Sequence, residues 1–151
     1  MKGLKIITVI FLSLPFYGKS QTEVAPAGFT GAQATATHYK VVYFIDESIE
    51  KKMKGILINI NNALDYPRLT GKLEIELVAF GEGVEIYKKT SHYDTALIKL
   101  QSRGVILAEC SNTMRRLNIS KDELWPFISY VPSGNGEIII RQSAGWAVIH
   151  P

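Results

Sequence analysis

The segment from Tyr39 to Ile45, Tyr-Lys-Val-Val-Tyr-Phe-Ile, constrains this chain most. It is β-branched and aromatic almost throughout, so a strand built from it has both faces to bury. Strands of that kind belong to parallel sheets, and parallel neighbours need long crossovers, usually helices. The sequence supplies them. Asp46, Glu47 and Ser48 offer N-cap chemistry. Ile49, Met53, Ile56, Leu57, Ile60 and Leu64 then fall on one helix face, ended by Pro67 and Gly71. Leu73 to Phe80 alternates at first and then becomes apolar, a second strand nearer an edge at its start.

Gly81-Glu82-Gly83 follows, leading into a short helical turn through Val84, Ile86 and Tyr87. Tyr93 to Gln101 is helical through Ala96, Leu97 and Leu100, with Gly104 as its stop. Val105 to Ala108 is a third strand, ending at Glu109-Cys110. Thr113 to Leu117 is helical, capped by Ser111 or Asn112, and Lys121 to Trp125 is a second helical piece before Pro126. Phe127 to Val131 is a fourth strand and Trp146 to Ile149 the last. Between them the residues leave two alternatives open. Asn135-Gly136 followed by Glu137 and three isoleucines suits a hairpin turn and strand, which the local pattern favours. A helix capped by Ser133, with Glu137 near its positive end and Gly145 as its stop, suits the crossover a parallel sheet requires. The succession β-α-β-α-β-α-β-α-β makes a three-layer α/β domain.

The chain has 151 residues, 46% hydrophobic and 21% charged, enough for one sizeable domain. Its first five residues are short and positive. Ile6 to Phe16 is almost wholly apolar, and Gly18 and Ser20 put small residues at −3 and −1 of a cut after Ser20. This is the layout of a secretory signal peptide over 1–20. It predicts a mature N-terminus near Gln21, a periplasmic or secreted protein, and no stable membrane anchor after cleavage. The apolar run is about a dozen residues where a span needs ~20; an uncleaved anchor or a buried N-terminal strand is the alternative. Residues 21–37, rich in Ala, Gly and Thr, read as a flexible linker, and 38–151 as the folded domain. Three of the 17 lysines and arginines lie in those first twenty residues, which hold no acid, and the remainder match the 14 acids. A neutral domain gives no electrostatic case for nucleic acid.

The single cysteine excludes an intramolecular disulfide and any multi-cysteine metal site. Cys110 stands where a strand ends and a helix begins, the edge at which open parallel sheets bind ligands. A helix start favours a thiolate through its free N–H groups; Glu109 opposes one if it shares the pocket. A buried, inert cysteine is the other reading. Gly81-Glu82-Gly83 is either a tight strand-to-helix turn or the floor of the same pocket. It lacks the third glycine of a dinucleotide fingerprint and the Lys-Ser/Thr of a P-loop. His38, His92 and His150 show no metal-ligand spacing, so no metal and no cofactor is expected. His92 and Asp94 offer an acid and a base, or merely a helix start. Arg115-Arg116 suits an anion near the thiol, or a solvated helix face.

The run Gly104-Val105-Ile106-Leu107-Ala108-Glu109-Cys110-Ser111-Asn112-Thr113-Met114 resembles the cysteine motif of the DsrE/DsrF-like family, which includes sulfur-relay proteins. Asn59-Ile60-Asn61-Asn62, the Gly81-Glu82-Gly83 loop and the tail from Val131-Pro132-Ser133-Gly134 to Gln142 through Ile149 match by position. The resemblance covers about Tyr39 to Pro151. It implies a single three-layer α/β/α domain with a five-stranded parallel sheet, Rossmann-like or flavodoxin-like, and a tail folded as helix then strand. It also implies homo-oligomers, trimers or hexamers, and a cysteine at the position of Cys110 that accepts sulfur as a persulfide and passes it on.

Two functions follow as expectations. One is an exported sulfur carrier exchanging sulfur with a donor or acceptor protein. Cys110 is its nucleophile, the amides of Ser111, Asn112 and Thr113 stabilise the anion, and Gly81 and Gly83 shape the pocket floor. The other is a non-enzymatic oligomeric binding or scaffold protein that holds a small anionic or nucleotide-like ligand, with Cys110 as lining.

Overall fold

A computed structural model describes residues 28–150. The expected signal peptide, its cleavage site and the first part of the linker lie outside them. Gln33–Pro151 forms a compact unit. Its elements run β1 (Tyr39–Ile45), α1 (Glu50–Asp65), β2 (Leu73–Ala79), a 3-10 segment (Gly81–Tyr87), α2 (Asp94–Ser102), β3 (Ile106–Cys110) and α3 (Ser111–Leu117). A 3-10 turn (Lys121–Glu123), β4 (Ser129–Val131), α4 (Gly134–Ser143) and β5 (Ala147–Ile149) complete it. All four strand pairings are parallel, in the order β4-β3-β2-β1-β5.

Strand order and handedness assign the layers. From β1 to β4 the chain steps one strand at a time in one direction, so right-handed crossovers put α1, α2 and α3 on one face. The packing agrees: Met53, Ile56, Leu57 and Ile60 of α1, Leu97 and Leu100 of α2 and Met114 of α3 share one core with Ile45, Leu77 and Leu107. Fully burying side chains such as Ile56 and Ile60 contributes ~1.5–3 kcal/mol each. From β4 the chain crosses back over the sheet to β5, so α4 lies on the opposite face. There a smaller core of Val42, Val78, Ala108 and Trp146 packs with Ile138. The third layer of the α/β/α sandwich is this one helix.

The hairpin that local pattern favours after Asn135 does not form. Ser133 caps α4, its side chain accepting from the Gly136 amide at 3.2 Å. Parallel β5 beside β1 demands a crossover from β4, and that requirement overrides the strand preference of three isoleucines. Ile138 meets the sheet while Ile139 and Ile140 are exposed. Gly145 follows the helix with φ +84°, a left-handed stop.

Two glycines after β2 are required by geometry. Gly81 has φ +57°. A Cβ at Gly83 would stand 2.2 Å from the Ile45 carbonyl oxygen, so the segment after β2 presses on the end of β1.

Candidate functional site

The connection after β3 runs to the α1–α3 face, whereas the connection after β4 runs to the α4 face. Adjacent strands whose connections part in this way open a crevice at their carboxyl ends. Cys110 is the last residue of β3 and faces that crevice, in register with Val131 of β4. The N-termini of α3 and α4 flank it.

Cys110 is itself the N-cap of α3, the role expected of Ser111 or Asn112. Its Sγ accepts from the Thr113 amide at 3.4 Å, as a serine or aspartate oxygen does at other helix starts. The residue is 5% exposed and borders a pocket of about 240 Å³. Burial pushes the thiol up. The amides of Gly134 and Thr113, the Thr113 hydroxyl and the amide of Asn112 outweigh it, and the thiol titrates below its ordinary value. Thr113 acts twice, because its hydroxyl also accepts from the Gly81 amide at 2.9 Å.

Of the residues singled out from the sequence, Cys110, Gly81, Asn112 and Thr113 meet at this pocket. Gly83 does not; it is packed under the end of β1. Ser111 does not either. It lines a separate cleft of about 520 Å³ with Arg115 and Lys121. The two arginines divide: Arg115 donates to the Asn112 side chain, whereas Arg116 reaches the thiol pocket. His92 borders another cleft, which shares no residue with the thiol pocket. His150 pairs with Asp46 at 3.1 Å and His38 with Glu74 at 3.4 Å. Among the described residues no cluster of His, Cys, Asp or Glu could hold a metal ion.

Sequence reasoning missed Gly134, Phe80 and the pocket-lining role of Ser133, all of which border the pocket. A Cβ on Gly134 would lie 2.9 Å from the Phe80 ring, so glycine lets α4 begin against β2's end and bring its amide to the sulfur. The pair Ser133-Gly134 carries a cap signal, but its proximity to Cys110 needs the strand order.

Glu109 does not share the pocket. Side chains alternate along β3, and Glu109 points to the α1–α3 face, where it acts on Tyr87 and Tyr130. It is fully buried and neither carboxyl oxygen has a hydrogen-bond partner. Burial, then the charge of Cys110, push its pKa to about 9 against one opposing amide contact. At neutral pH it is an uncharged acid and does not oppose the thiolate.

A single acidified thiol at the switch point of a parallel sheet marks a small α/β protein with a candidate site at the carboxyl ends of its strands. The chain belongs to the DsrE/DsrF-like family, a family of sulfur-relay type, whose model matches residues 26–151. Among solved structures it is similar to MTH1491 of Methanobacterium thermoautotrophicum, a protein of unknown function. Identity is 34%, coverage 75% of this chain and 99% of that one, and the TM-score 0.69. It is also similar to BT1422 of Bacteroides thetaiotaomicron, a conserved protein of unknown function. Here identity is 9%, coverage 80% and 100%, and the TM-score 0.60, a likeness of fold alone. No curated protein matches the chain.

Proposed function

We propose that the protein is a single-thiol sulfur carrier in which Cys110 accepts sulfur as a persulfide. The observation that carries this reading is the Cys110 thiol, acidified by amides from two helix starts beside a pocket at the sheet edge. The thiolate attacks the outer sulfur of a donor persulfide. An S–S bond forms at Sγ, the donor's S–S bond breaks, and the donor leaves as a thiolate with the electron pair. The chain has one cysteine, so no second thiol of its own can close a disulfide and release the sulfur. The sulfur passes to a separate acceptor. Incubation with a low-molecular-weight persulfide should add one sulfur atom to the intact mass, and Cys110→Ser should abolish the gain. Equal loading of that variant would overturn the reading.

Export and assembly are part of the proposal. The charge and apolar pattern of residues 1–20 supports export; an exported product that retained Met1 would refute cleavage. The family resemblance implies a trimer or hexamer, Ile139 and Ile140, each 64% exposed on α4, offer apolar surface to bury in it, and light scattering that returned a monomer would remove it.

The low exposure of Cys110 favours one second reading, an anion-binding protein with the thiol as lining. It is separated by thermal shift with nucleotides and small anions. Stabilisation that survives Cys110→Ser supports binding without thiol chemistry.

A further inference from the structure

The grip of α4 on the sheet is unusual. Helix α1 buries four apolar side chains, whereas the only fully buried residue of α4 is Gly134, which has no side chain. Ile138 adds a partly buried contact. The rest of the grip is polar and lies at the other end of the helix. Arg141 Nε donates to Glu137 Oε1 at 2.8 Å and stands 2.7 Å from Oε2 of Glu76, which is 1% exposed in the middle of β2. The contact with Glu76 is an ion pair without hydrogen-bond alignment. The Arg141 guanidinium also lies 4.2 Å from the centre of the buried Trp146 ring. A carboxylate sunk in a sheet is costly without its partner, so Glu76 holds Arg141 where it is.

We infer that Arg141 is a positioning residue for Cys110: its contacts with Glu76 and Trp146 fix α4 so that Gly134, at the start of the helix, is held beside Cys110 in the pocket both line. Seven residues separate Gly134 from Arg141, about 10.5 Å of rigid helix. With so thin an apolar interface, releasing the far end frees the near end. The inference deepens the proposed role of Cys110, but it concerns the acidity of the thiol, so it stands or falls separately from sulfur loading.

The test is the pH dependence of Cys110 alkylation on the folded full chain. Arg141→Met should move the titration upward and lower the rate at pH 7 by roughly threefold or more, the loss of thiolate for half a pKa unit. Arg141→Lys keeps a charge opposite Glu76 and should return most of the rate. Ile60→Val, in the core on the other face, is the control for general loosening at about 0.5–1.5 kcal/mol and should leave the profile in place. An unchanged profile in folded Arg141→Met, or an equal shift in Ile60→Val, overturns the inference. If Arg141→Met does not fold, Glu76→Gln carries the same expectation and the same overturning result.

Discussion

The backbone amide of Gly81 donates to the hydroxyl oxygen of Thr113 at 2.9 Å, which ties the turn after β2 to the helix that Cys110 caps. The same hydroxyl is among the groups that lower the Cys110 pKa. One small side chain therefore satisfies a partly buried loop amide and helps to acidify the thiol.

Thr113→Val keeps the shape and removes that link. The Gly81 amide loses its acceptor, at a cost of about 0.5–1.5 kcal/mol for a partly buried hydrogen bond, and the thiol loses one of the groups that lower its pKa. Denaturant unfolding should show the first effect and the alkylation profile the second, with Thr113→Ser restoring both. A variant with native stability and native thiol acidity would mean that the hydroxyl does neither.

Glu109 predicts the pH dependence of stability. Its folded pKa, about 9, is raised above the ordinary 4.5. Between those values the folded state binds the proton and the unfolded state releases it. The associated stability is fully present below pH 4.5 and is lost as pH rises toward 9, by at most about 1.4 kcal/mol per pH unit. Glu109→Gln removes this titration. Its stability should exceed that of the parent at pH 8 by more than at pH 5, and thermal melts across that range would show parallel curves if Glu109 were ordinary.

Gly83→Ala should cost several kcal/mol, because its Cβ would stand 2.2 Å from the Ile45 carbonyl oxygen and backbone must move. Gly71→Ala is the comparison: its φ is +73°, yet nothing lies within 4 Å of a Cβ there. That change should cost only about 1 kcal/mol, the price of a left-handed alanine. Calorimetric melts of the two variants, compared directly, check the steric argument.

Much of the fold is legible in the residues. The apolar run of Tyr39–Ile45 is β1 residue for residue, and the spacing of Met53, Ile56, Leu57 and Ile60 marks the buried face of α1. Cys110 stands at the strand end that its context indicates. The site is half legible. Ser111, Asn112 and Thr113 are consecutive, but successive helix residues point about 100° apart, so Ser111 turns to a different cleft. Gly134 and Phe80 are far from Cys110 in sequence and carry no local mark of their role.

Element identity is thus a local property here. Side-chain periodicity and burial need determine which stretches become strands and helices, and Cys110 at a strand end follows from them. The strand order is not local. Placing β4 beside β3 and sending α4 alone across the far face depends on the handedness of crossovers and on the whole sheet. Only that arrangement brings Gly134 to the pocket that Cys110 lines and adds its amide to the groups that lower the thiol's pKa, out of residues the chain keeps apart.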